Sequence, residues 1–206
     1  MTNLPVSDLL DRLTTLFEAG HREDLTDLRD DGHFSKAADM RPAAVLMAIT
    51  ESATPSVLMI HRPSNMRAHP GQAAFPGGKI DPGEDAVEAA LREAHEELGI
   101  DPALVHVIGP TDRYRTATGY DITPVLATVP EGIDIRPNPI EVASWFAPPV
   151  DFVLNPRNHL PRSAEWGGME RHYLEIMWEG HRIWGVTAAI LANLARRVAW
   201  VGSGHG

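Results

Sequence analysis

Eight acidic residues crowd positions 81–101, with Lys79 and Arg92 the cations in their company. Glu93 and Glu97 are four apart and Glu96 follows Glu93 by three, so on a helix the three carboxylates lie near one line. Carboxylates held that close repel one another, which raises the pKa of at least one of them. A hard divalent cation removes the conflict with oxygen ligands alone. The single charge of Arg92 is too small for that task. Its expected part is a salt bridge to Glu84, in the loop before the helix, or to Glu88, one turn back. Just upstream, Phe75-Pro76-Gly77-Gly78 spells a tight turn whose paired glycines let a backbone carbonyl approach an ion.

These residues need elements to hold them. Positions 85–98 read as a helix, with Val87, Ala90, Leu91, Ala94 and Leu98 at offsets of three and four and Glu88, Glu93, Glu96 and Glu97 on the remaining faces. Gly99 is placed to end it in the left-handed conformation, with Ile100 folding back over the last turn. Positions 43–50 and 56–62 read as strands and 63–78 as a structured loop. Later strands are expected at 104–108, 122–129, 142–146, 172–178 and 181–184. Ser7 is the expected cap of a first helix striped by Leu9, Leu10, Leu13, Leu16 and Phe17. Thr187 is the expected cap of a last helix running to about Val198, with Ile190, Leu191 and Leu194 inward. This order implies an α+β fold, an α/β/α sandwich with a mixed β-sheet. The expected domain covers 43–200, after a helix and polar arm over 1–42 and before a flexible tail at 201–206.

The whole chain of 206 residues has 18 basic and 28 acidic side chains, a net charge of −10. That argues against a broad phosphate-tracking surface, so a nucleic acid polymer is not an expected partner. The absence of cysteine excludes disulfides, thiolate-bound metal and a cysteine nucleophile. His61, His69 and His95 have no convincing carboxylate partner for zinc and are expected to be packing or surface residues. No run is apolar enough to span a membrane and the first residues do not form a secretion signal, so no membrane partner and a cytoplasmic location are expected.

Gly78, five residues, Glu84, seven residues and then Arg92-Glu93-Ala94-His95-Glu96-Glu97-Leu98-Gly99-Ile100 resemble the Nudix box at all its fixed positions. The resemblance implies the Nudix fold, with its loop-helix-loop, and hydrolysis of a nucleoside diphosphate linked to another moiety. It also implies Mg²⁺ or Mn²⁺ held by Glu93, Glu96 and Glu97 with the Gly77 carbonyl, and Arg92 with Glu84 as the supporting salt bridge. A second resemblance is to the coenzyme A diphosphatases. Leu58-Met59-Ile60-His61-Arg62, Arg67, Gly71 and Phe75-Pro76-Gly77-Gly78 follow the signature preceding the box. Met59-Ile60 replaces its leucine-threonine pair and Pro63 its serine. Thr118-Gly119-Tyr120, Thr123-Pro124-Val125 and Trp184-Gly185-Val186-Thr187-Ala188 extend the similarity. The implied substrate is coenzyme A, cleaved to 4′-phosphopantetheine and adenosine 3′,5′-bisphosphate. ADP-ribose or NADH is the alternative substrate, and a catalytically weak nucleotide-binding module the alternative class.

Coenzyme A carries a diphosphate and a separate 3′-phosphate, so an acidic chain needs local donors for it. Arg62 and Arg67, with Gly71 between them and the box and His69 nearby, are the expected substrate contacts, arginine being suited to bidentate phosphate binding. Tyr120 either lines the pocket or is a core or rim aromatic. Glu93 and Glu97 are the expected catalytic carboxylates, with Glu93 a candidate general base. Glu141 either reaches the site as a later carboxylate or is a charge at a strand start. A monomer and a homodimer fit the sequence equally.

Overall fold

The computed structural model describes residues 6–32, 40–64, 71–166 and 168–200. In chain order its elements are α1 (Val6–His21), β1 (Arg41–Glu51), β2 (Met59–His61), β3 (Ala73–Ala74), β4 (Gly77–Lys79), α2 (Ala86–Leu98), β5 (His106–Pro110), β6 (Tyr114–Arg115), β7 (Tyr120–Pro130), β8 (Ser144–Phe146), α3 (Val150–Val153), β9 (Leu160–Trp166), β10 (Met169–Trp178), β11 (His181–Trp184) and α4 (Val186–Arg197). β1 and β7 run parallel, from Arg41 opposite Tyr120 to Glu51 opposite Pro130. β4 joins β1 antiparallel, and β5 and β6 join β7 antiparallel, giving a mixed central sheet ordered β4-β1-β7-β5. Two smaller antiparallel sheets, β3-β2-β8 and β11-β10-β9, flank it.

Side chains alternate across β1, and each face meets a different helix layer. Ala44, Leu46 and Ala48, with Val125, Ala127 and Val129 of β7, pack against Ala89, Ala90, Ala94 and Leu98 of α2. Met47 and Ile49, with Leu126, pack toward Leu13 of α1 and Ile190, Leu191 and Leu194 of α4. The α+β sandwich is therefore as expected. The inner face of α2 is mostly alanine, so its backbone lies close to the sheet and the Glu93 and Glu97 side chains reach β4.

Several boundaries differ from the sequence reading. α1 begins at Val6, which puts Ser7 inside the first turn rather than before it. α4 is preceded by Gly185 with no side-chain cap, and Thr187 Oγ1 donates to the Ala73 carbonyl instead (3.1 Å). Asp101 and Pro102 wind 102–104 into a 3₁₀ turn, delaying the strand to His106. Val142 N–H donates to Asn138 O in a turn, so the next strand begins only at Ser144. β9 is unanticipated: Leu160–Trp166 owes its strand conformation to pairing with β10.

The polar stretch after α1 is clasped by the last helix. The Asn193 side chain accepts from Arg29 N–H (2.8 Å) and donates to Arg29 O (2.9 Å). Arg197, 7% exposed, binds both oxygens of Asp112 and the carbonyls of Gly20 and Glu23. No described helix is long and apolar enough to cross a membrane.

Candidate active site

Asp85 accepts from the N–H groups of Val87 and Glu88, and the Glu88 carboxylate closes a capping box on Asp85 N–H. That occupies Glu88, leaving Glu84 as the partner of Arg92. Arg92 Nε donates to Glu84 Oε1 (2.7 Å) and Nη2 to Oε2 (3.1 Å). The same guanidinium reaches Glu93 (3.0 Å), Glu96 (3.4 Å) and the Lys79 carbonyl (3.0 Å). Arg92 thus ties the loop, the strand and the acidic face of α2 together, and its hydrogen bonds hold Glu84 below the ordinary carboxylate range. At the far end Gly99 takes φ +69°, donates its N–H to His95 O, and Ile100 is buried. The exposed His95 sits with Nδ1 3.0 Å from Ile100 O, at the helix end.

The two reactive-looking carboxylates flank β4. Glu97 is only 5% exposed and its Oε2 accepts from Gly77 N–H at 2.9 Å. Glu93 rests on Gly78, where an added Cβ would lie 2.5 Å from its carboxyl carbon. Burial raises both above the ordinary value, and neighbouring carboxylates add to it: Glu96 and Glu141 for Glu93, Glu93 and Glu141 for Glu97. Glu97 is pushed up to about 8, with Gly77 N–H and the Arg62 charge opposing. The sequence reading placed Glu97 on an outer face; its offsets of three from Ala94 and seven from Ala90 put it on the buried one.

Arg62 and Glu141 arrive from other elements. Arg62 N–H donates to Gln72 O and Gly71 N–H to Arg62 O, so Gly71, at φ +68°, closes the loop beside Arg62. The Arg62 Nε is buried with no hydrogen-bond partner among the described residues, while its charge is felt at Glu97. The segment before Glu141 is zipped to the end of α2 by Arg136 N–H to Leu98 O (2.7 Å) and Asn138 N–H to Glu97 O (2.9 Å). That brings Glu141, half-buried and without a hydrogen bond to its carboxylate among the described residues, into the field of Glu93 and Glu97. Tyr120 sits elsewhere: it opens β7 with its ring under the Arg41 guanidinium (4.0 Å), at the end of β1 away from Val45, the partner of Gly77. Arg67 and His69 lie outside the described residues.

Among the described residues, no three histidine or carboxylate groups are gathered into a ready metal cage. Arg92 holds Glu93 and Glu96, and Gly77 N–H holds Glu97. The donor set still suits a hard dication, being all oxygen, partly buried and under mutual repulsion. The sheet, α2 and the glycine strand thus gather a partly buried, all-oxygen cluster of carboxylates against a backbone turn. Residues 40–166 match the NUDIX domain family, and the chain belongs to the Nudix hydrolase superfamily, whose members hydrolyse nucleoside diphosphate derivatives. It is 38% identical over 168 residues to the Nudix hydrolase NudL of Yersinia enterocolitica, covering 81% of this chain and 85% of that protein. The NudL of Enterobacter sp. strain 638 is 37% identical over 77% of this chain and 83% of its own length. The crystal structure of the Nudix hydrolase RenU from M. smegmatis is 27% identical over 54% of this chain and 71% of that one, with a TM-score of 0.47.

Proposed function

We propose that the protein hydrolyses the diphosphate bond of coenzyme A to 4′-phosphopantetheine and adenosine 3′,5′-bisphosphate. The observation that carries this reading is the Nε of Arg62, buried with no hydrogen-bond partner among the described residues while its charge is felt at Glu97, at the arginine with which the coenzyme A signature begins. Glu93, Glu96 and Glu97 are the residues to hold Mg²⁺ or Mn²⁺, with the Gly77 carbonyl beside them. When bound, the ion neutralises diphosphate oxygens and lowers the pKa of the attacking water. Arg62 binds and orients the diphosphate from the opposite side, and Arg67 shares substrate recognition. Glu141, free of hydrogen bonds from described residues, takes the water proton as the new P–O bond forms and the bridging P–O bond breaks. Arg92 and Glu84 position Glu93 and Glu96 without touching substrate.

The test is a panel of coenzyme A, ADP-ribose and NADH with Mg²⁺ or Mn²⁺, products identified by mass. Coenzyme A yielding the two products above supports the reading. Turnover of ADP-ribose or NADH without coenzyme A overturns it.

A further inference from the structure

The closure of the Arg62–Gly71 loop is braced from a distant part of the chain. His61, one residue before Arg62, places its ring Nδ1 3.3 Å from the Gly71 carbonyl oxygen. Its Nε2 lies 2.8 Å from Nδ1 of His181. His181 opens β11, beyond residue 166, where the family match ends. A carbonyl only accepts, so His61 Nδ1 carries the proton. Neutral His61 then has a bare Nε2, and His181 Nδ1–H must be the donor to it. The two imidazoles therefore run in one direction, His181 to His61 to Gly71. Burial first, then the nearby His61, holds His181 below the ordinary imidazole value against the pull of Glu179, which favours its neutral form.

Packing holds both rings in that orientation. Phe146 stacks on His181 at 4.1 Å with planes 2° apart and on His61 at 4.8 Å, and Trp178 lies 5.7 Å from His181. A second side chain from the same C-terminal unit grips the returning strand: Thr187 Oγ1 donates to Ala73 O, two residues after Gly71. We propose that His61 and His181 are positioning residues for substrate binding. By fixing the Gly71 end of the loop through directed hydrogen bonds, they set Arg62 in place for the diphosphate. This rests on the reading of Arg62 as a diphosphate contact.

Packing alone would need only the ring shapes, whereas positioning needs the donors. His181→Phe keeps a stackable ring and deletes the donor; His181→Asn loses the ring but offers an amide N–H near the former Nδ1. On coenzyme A, His181→Phe is expected to raise KM about threefold to tenfold, the range of one neutral hydrogen bond, with kcat within about twofold. His181→Asn should recover most of that KM. In ¹⁵N-resolved histidine spectra of the wild type above neutral pH, both rings should be Nδ1–H tautomers, the less common form in water. An Nε2–H tautomer in either ring, an unchanged KM in His181→Phe, or an Asn variant no better than Phe overturns the inference. If the wild type cleaves ADP-ribose or NADH but not coenzyme A, the coenzyme A reading alone falls. The same two variants are then compared on the substrate that is cleaved, where a raised KM with Asn rescue supports the positioning role and an unchanged KM overturns it.

Discussion

Two adjacent glycines should respond to the same added methyl in opposite ways. At Gly78 the backbone lies outside the positive-φ region, and the atoms a Cβ would meet belong to the Glu93 carboxylate, its carboxyl carbon at 2.5 Å. Ordinary contact starts at 3.4 Å and Glu93 Oε1 lies nearer still than the carboxyl carbon, so the group must withdraw by at least about 0.9 Å. Turning a side chain off its preferred rotamer costs about 0.5–1.5 kcal/mol, and alanine returns about 0.4–1 kcal/mol by restricting the unfolded chain. The two nearly cancel. Activity does not share that tolerance, because a displacement near 1 Å at a reacting centre costs on the order of a hundredfold. At Gly77 the methyl would meet backbone: the Ala44 carbonyl oxygen, and Val45 Cα at 2.7 Å. Neither can swing away, so Gly77→Ala should cost about 3 kcal/mol of stability or more. Urea unfolding and initial rates on the best panel substrate separate the two. Gly78→Ala should unfold within about 1 kcal/mol of wild type while kcat drops about a hundredfold. A Gly78→Ala kcat within about threefold of wild type would refute the placement of Glu93, and equal destabilisation of both variants would refute the steric argument.

Glu97→Gln should lower kcat at least about a hundredfold while the protein stays folded, and near wild-type turnover at limiting Mg²⁺ would exclude it as a ligand. Glu141→Gln should lower kcat more than it raises KM, and an unchanged kcat from about pH 6 to 9 would reduce it to a charge on the turn before β8. Because the Arg62 charge is felt at Glu97, Arg62→Ala should weaken kcat/KM for coenzyme A and its 3′-dephosphorylated form alike, by about tenfold to 150-fold. Loss confined to coenzyme A would move Arg62 to the 3′-phosphate. Arg197→Leu strands Asp112 and should cost about 3–5 kcal/mol at neutral pH. Burial alone would raise the Asp112 carboxyl, but Arg197 outweighs it and holds the group below its ordinary 3.8. A carboxylate depressed in the folded state stabilises above its unfolded value and stops doing so as pH falls through the folded one. The difference in urea midpoint between wild type and Arg197→Leu should therefore narrow below about pH 4; a constant difference down to about pH 3 would contradict this.

What could be read from the sequence was what depends on near neighbours. α2 was legible because its apolar residues at offsets of three and four and the closing Gly99 all act within a turn or two of themselves. Its one error, the face given to Glu97, came from letting charge override periodicity. Gly77 N–H and the buried side of α2 provide for that carboxylate in a way only the sheet reveals. β9 escaped because its residues, with Pro161 among them, show no alternation and the strand is made by its partner. The encounter of Arg62 with Glu97 and the bond between His61 and His181 join segments far apart in sequence. No local pattern marks such pairs, and His61 read as a packing or surface residue for that reason.

The clasp on Arg29 bears on how the chain is made. Asn193 and Arg197 reach back across 164 to 177 residues to the segment after α1. Closing a loop that long costs about 4–5 kcal/mol of chain entropy, more than the two hydrogen bonds on Arg29 return by themselves. The Arg29 part of the arm can therefore settle only once α4 is already seated on the sheet, whereas Asp30 and Asp31 have partners of their own in Arg115 and Tyr114 of β6. On a ribosome, residues near the start wait for residues near 190 to emerge, while β1, β7 and α2 can assemble meanwhile. The first of these segments to be synthesised is thus among the last to fold. During that interval 22–29 is open to proteases and chaperones, and slowing synthesis just before residue 186 would lengthen that exposure without touching the catalytic helix.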